Sequence, residues 1–211
     1  MTAFVSSRGK VNLLGSWFLF ALLVGCSTSP PSQFYTLTPA AFVESDAVVS
    51  AAFAHSIAVG PVAVPEVVNR PQFVVRDGPN RVIVLEAQRW AEPLKSGIAE
   101  AVASYLSRDL NGARVTPMTQ SAANDAQFDV ALDVQRFEMI VGEAAVIEVV
   151  WTIKHRDGSA APMLGRSNVR EPAQASSDPS SNPYDALVAA QVRALASVSR
   201  DIAARLAQTT D

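Results

Sequence analysis

The chain has 211 residues, enough for one domain and too few for two comfortable ones. Hydrophobic residues make up 49% of it, so a packed core is expected, while 17 basic against 20 acidic residues with no Lys/Arg cluster argue against binding a nucleic-acid backbone. A single cysteine excludes an internal disulfide, and with two histidines, His55 and His155, no Cys/His metal site is expected.

The N-terminus is predicted to lie outside the fold. Arg8 and Lys10 precede an apolar run from Val11 to Val24, broken only by Asn12, Gly15 and Ser16, and no acidic residue stands before Cys26. That pattern is a secretory signal over residues 1–25. It is too short for a membrane span, which needs about 20 apolar residues. Leu23-Val24-Gly25-Cys26 resembles a bacterial lipobox. The resemblance implies cleavage before Cys26, a thioether diacylglycerol on its sulfur and an acyl chain on its new amine. No other cofactor is expected. Several acyl chains together hold a protein on a membrane essentially permanently, because each buried methylene contributes about 0.8 kcal/mol. Ser27, where sorting to the inner membrane favours Asp, implies the outer membrane of a Gram-negative envelope. Removal of the signal takes Arg8 and Lys10, leaving 15 basic against 20 acidic residues, a charge of −5.

Ser27 to Ser32 (STSPPS) reads as a tether. Six residues biased to polyproline II by Pro30-Pro31 reach only about 20 Å. A single domain over residues 33–211 must then sit close to its membrane. Gln33 to Thr38 (QFYTLT) is predicted as the first strand and Pro39 to Ala54 as a loop. Ser56 to Val64 reads as a buried strand, with Gly60-Pro61 marking a bulge or an edge. Pro65 to Arg70 is predicted as a turn of helix or a loop. Gln72–Arg76 and Arg81–Leu85 flank Asp77-Gly78-Pro79-Asn80, a hairpin signal.

Pro93 suits the first turn of a helix carrying Leu94, Ile98, Val102, Tyr105 and Leu106 at helical spacing, ending near Asn111-Gly112. Ala113 to Thr116 is a short strand candidate. Gln127–Val141, Ala144–Arg156 and Met163–Arg170, separated by Gly142-Glu143 and Asp157-Gly158, form an antiparallel meander with one wet face. After a polar loop, Gln174 to Asn182, the pair Asn182-Pro183 opens a last helix. Its stripe runs through Tyr184, Leu187, Val188, Gln191, Leu195, Val198, Ile202 and Leu206. The expected fold class is α+β: a mostly antiparallel sheet with two main helices packed on one face.

Chemistry is sparse. There is no Walker-type phosphate loop, Rossmann glycine fingerprint or His-Glu-x-x-His, and Gly165-Arg166-Ser167-Asn168-Val169 lacks the second glycine of a nucleophile elbow. His155 beside Asp157 at a strand end reads as turn chemistry, and Asp129 and Asp133 as a solvated strand face. No catalytic residue is assigned and no enzyme is expected. The segment Pro65 to Leu94 differs, because it gathers Arg70, Arg76, Arg81, Arg89 and Trp90 around a hairpin in an acidic protein. Arg and Trp are enriched at interface hot spots, which makes these five the candidate partner-binding residues. The alternative is that Trp90 plugs the sheet–helix junction while the arginines keep the surface soluble.

The lipobox, the strand Phe34-Tyr35-Thr36-Leu37 and the run from Arg70-Pro71 through Trp90-Ala91-Glu92-Pro93-Leu94 resemble the PqiC/YmbA family. These are ABC-type transport auxiliary lipoproteins associated with MCE-domain lipid transport. The resemblance covers essentially the whole chain after Cys26. It implies a non-catalytic lipoprotein on the periplasmic face of the outer membrane, docking a periplasm-spanning MCE assembly and helping hydrophobic molecules pass between membranes. Phospholipid is a second candidate ligand, and self-association is left open. The competing readings are an envelope hydrolase using His155 or a surface serine, and a structural lipoprotein binding peptidoglycan.

Overall fold

In the computed structural model, described for residues 31–37, 55–111, 113–173 and 182–209, the predicted strands and helices follow in the order expected, with an unpredicted 3-10 helix at Ser121–Asp125. They are β1 (Gln33–Tyr35), β2 (Ile57–Ala63), β3 (Gln72–Arg76), β4 (Val82–Trp90), α1 (Leu94–Asp109), β5 (Val115–Pro117), a 3-10 helix (Ser121–Asp125), β6 (Phe128–Ile140), β7 (Ala144–His155), β8 (Met163–Pro172) and α2 (Pro183–Ala207). The predicted loops 39–54 and 174–181 lie outside the described residues, as does Cys26 with the signal and most of the tether.

The meander forms as the alternation demands. β6 and β7 pair antiparallel from Phe128 opposite His155 to Ile140 opposite Ala144, and β8 pairs antiparallel with β7. Phe128, Val130, Leu132 and Val134 are buried, whereas Asp133 and Gln135 are exposed. One face therefore carries the core and the other meets water, as a half-buried antiparallel sheet requires. The hairpin of β3 and β4 also forms, with Arg76 opposite Val82 and Asp77–Arg81 as its turn.

Both helices pack on the apolar face, and the class is α+β, with the long ladders antiparallel. α2 starts on Asn182, whose Oδ1 accepts from the Tyr184 N–H at 3.0 Å, with Pro183 at the first helical position. Leu187, Val188, Gln191, Leu195, Val198, Ile202 and Leu206 of the stripe are all buried. In α1, Ile98, Val102, Tyr105 and Leu106 fill the same layer.

Three features go beyond the expectation. The short ladders are parallel: β1 with β4, β2 with β5, β2 with β6, and β3 with β6. β2 is accordingly an interior strand between β5 and β6, and the Gly60-Pro61 signal marks a bulge, where register shifts between Val59 and Val62. Finally, the sheet forks along β6. On the edge away from β7, β6 pairs with β2 as far as Asp133 and with β3 only from Met139. Between those points, among the described residues, no strand pairs with that edge.

Candidate functional site

The register of the hairpin separates the five sequence-predicted residues into two groups. Arg76 and Arg81 stand at its tip. There the Asp77 N–H donates to the Arg81 carbonyl at 2.9 Å, Arg76 Nη1 donates to the Pro79 carbonyl at 2.8 Å, and Arg81 pairs with Asp77 at 2.6 Å. Gly78 in this turn has φ of 112°, a conformation that favours glycine. Arg70 and Arg89 stand at the base. Gln72 lies opposite Arg89, and the Trp90 N–H donates to the Pro71 carbonyl at 2.7 Å.

Trp90 belongs to neither surface. A register shift between Gln72 and Phe73, opposite β4 residues 85–89, leaves its indole on the core side. There it lies 4.4 Å from the Phe73 ring and 6.1 Å from that of Phe137, and it is buried. Trp90 plugs the junction of sheet and helices, the alternative that its sequence context allowed. Its indole presents no surface to a partner.

Arg76 is also committed within the fold. Its guanidinium pairs with Glu138, which Arg136 Nε approaches at 3.1 Å, while Arg136 Nη1 reaches Glu148 at 3.1 Å. Burial pushes the Glu138 carboxyl pKa up, but the hydrogen bonds and charges of Arg76 and Arg136 outweigh it and hold the group below its usual range. This four-residue network closes the outer side of the fork. Beside it lies a cavity of about 120 Å³ lined by Val67, Val68, Val74, Val82, Phe137 and Met139 among others. On the core side, the fully buried Gln191 of α2 donates from Nε2 to the Glu138 carbonyl at 2.9 Å, standing in for the missing strand.

At the base, Arg70 is exposed and Arg89 half-exposed, and among the described residues neither forms an ion pair with a carboxylate. Register places Phe34 of β1 beside Arg89, and Phe34 is 65% exposed. Sequence reasoning placed Phe34 in the first strand and not in the site. Only the parallel pairing of β1 with β4 brings it there. An unburied aromatic ring beside the uncommitted guanidinium of Arg89, with exposed Arg70 at the same hairpin base, fits a partner that offers carboxylates and apolar contact.

The two histidines meet at another end of the sheet, on either side of Phe128. The His155 ring lies 4.2 Å and the His55 ring 5.4 Å from it, and His55 Nδ1 is 2.8 Å from Gln127 Oε1. Asp157 Oδ1 accepts from the Ser159 N–H at 2.9 Å and the Gly158 N–H donates to the His155 carbonyl at 3.2 Å, a local turn. Among the described residues no group of three or more His, Cys, Asp or Glu is placed to hold a metal.

The fold has solved counterparts. An uncharacterized protein of known crystal structure superposes with a TM-score of 0.65 at 20% identity, covering 84% of this chain and 99% of that one. A protein from Xanthomonas campestris gives a TM-score of 0.50 at 21% identity, covering 71% and 81%. No curated protein matches the chain. Over residues 35–203 the sequence matches the ABC-type transport auxiliary lipoprotein components, and the chain belongs to that family. These are auxiliary lipoprotein components of ABC-type transport. No helix among the described residues is long and apolar enough to cross a membrane.

Proposed function

We propose that this protein is the outer-membrane docking subunit of an MCE-type lipid transporter, held on the periplasmic face by lipid on Cys26. Signal cleavage before Cys26 and the Ser27 sorting signal supply the location. The short tether keeps the domain near its own membrane, so the periplasm-spanning partner comes to it. The observation that carries the docking role is the base of the hairpin, where exposed Phe34 stands beside Arg89 in the β1–β4 register. Aromatic and arginine side chains recur at interface hot spots. Catalysis has no part in this reading.

The test is co-purification of the MCE partner with the lipidated protein from detergent-solubilised membranes. Arg70→Glu with Arg89→Glu is expected to abolish capture while leaving the thermal melt unchanged, since neither residue is buried or ion-paired. Undiminished capture by the double variant overturns the assignment of this surface.

A further inference from the structure

The opposite end of the hairpin has a different composition. Among the described residues, seven large apolar side chains are exposed, and Val67, Val82, Ile83 and Val141 are four of them. Val82 stands opposite Arg76, Arg76 opposite Ile140, and Ile140 opposite Ala144. The hairpin turn and the turn after β6, which begins with Val141, therefore project side by side from one edge of the domain. Val67 joins them by lining the same cavity as Val82. Exposed Arg81 stands at the tip. Clustered apolar side chains rimmed by polar groups mark an interaction surface.

Chain direction identifies what that surface meets. β1 runs parallel to β4, with Gln33 opposite Gln88 and Tyr35 opposite Trp90. Followed backwards from Tyr35 to Gln33, the chain points along β4 towards Val82. Gln88 and Val82 are six strand residues apart, about 20 Å at ~3.4 Å per residue. Cys26 is seven residues upstream of Gln33, a covalent reach of about 23 Å at most. The hairpin tip, about 20 Å from Gln88, therefore lies within the covalent reach of Cys26 from Gln33.

We propose that the hairpin tip and the β6–β7 turn form the membrane-facing surface of the domain, with Val67, Val82, Ile83 and Val141 seated at the headgroup level of a phospholipid bilayer. The inference rests on lipidation of Cys26. Apolar side chains dipping into the interface add to the acyl anchor, and Arg81, paired with Asp77 at the same edge but exposed, can reach lipid phosphates. The domain is thereby oriented and not merely tethered. The base of the hairpin, with Phe34, Arg70 and Arg89, is left facing the periplasm.

The test uses the mature lipidated protein reconstituted in vesicles of phosphatidylethanolamine and phosphatidylglycerol. The Cys26 sulfur is acylated, so a cysteine introduced as Val82→Cys, Val141→Cys or Leu164→Cys is the only free thiol. Leu164 is a matched control. It is 68% exposed and registers through Thr152 with Ala131, nine residues along β6 from Ile140, about 30 Å away. Each thiol carries an environment-sensitive fluorophore, and the vesicles carry headgroup-level spin-labelled lipid. Emission from positions 82 and 141 is expected to shift to the blue and to be quenched, while position 164 stays in water. Three equally unquenched probes, equal quenching at all three, or protection at 82 and 141 only after the MCE partner is added overturns the proposal. Protein that fails to float with the vesicles refutes the anchor instead, a separate outcome.

Discussion

Gln191 Nε2 lies 2.9 Å from the carbonyl oxygen of Glu138, at the one stretch of β6 where the sheet divides. A strand carbonyl without a ladder partner is costly to bury, and here a helix side chain supplies the missing donor. Gln191→Leu keeps the volume and removes the donor. We expect a loss of about 1–3 kcal/mol in denaturant unfolding. An unchanged midpoint would mean that water already serves that carbonyl.

The same residue carries a pH signature on the other side of the sheet. The depressed Glu138 pKa stabilises the fold at neutral pH, and the contribution is lost as pH falls through that folded value, below the ordinary 4.5. Glu138→Gln should be less stable than wild type at pH 7, with the difference shrinking in acid. Thermal melts at pH 7 and below pH 4 read it, and a constant difference would contradict the network.

The meander and both helices were legible in the sequence because alternation and helical spacing are local signals. Asn182-Pro183 announced its helix start, and Gly60-Pro61 its bulge. The parallel pairings were not legible, because β2 and β6 are separated by some sixty residues and neither strand encodes its partner's direction. The fork escaped for the same reason. Gln191 did appear in the predicted helical stripe, but its hydrogen-bond partner did not. For the arginine cluster, the sequence brought the residues together but could not divide them. Register did so, burying Trp90, engaging Arg76 with Glu138 and setting Phe34 beside Arg89.

Gly165 lies opposite Trp151, whose indole covers the place a β-carbon would occupy. Trp151 Nε1 also donates to Ser167 Oγ at 3.1 Å, and Ser167 Oγ donates to Asp201 Oδ2 at 2.6 Å, joining β7, β8 and α2. Gly165→Ala displaces the indole and its hydrogen bond together. Overpacking of this kind typically costs about 1–3 kcal/mol, with an altered tryptophan emission spectrum expected alongside. A silent substitution would place Trp151 elsewhere.

Burial first, then the charge of Asp185, pushes the Tyr35 hydroxyl up from 10.0 to about 12, while Asn182 donates to it at 2.9 Å. A raised pKa means that the folded state holds its proton more tightly. Stability is therefore full below pH 10 and falls as pH rises from 10 towards 12. Tyr35→Phe should flatten part of that decline in alkaline melts. Identical slopes would show that Tyr35 ionises freely.

Cys26 lies outside the described residues, and its role rests on the lipobox and the family. Cys26→Ser should abolish labelling by radioactive fatty acid and leave the protein out of the membrane fraction. Persistent labelling would place the lipid elsewhere.

The most direct measurement of the docking role is site-specific photo-cross-linking in living cells. A photoreactive residue at position 89, beside Phe34 at the hairpin base, is expected to trap the MCE-domain partner, while one at position 164 does not. Absence of that adduct from position 89, or equal yields from both positions, would contradict the account.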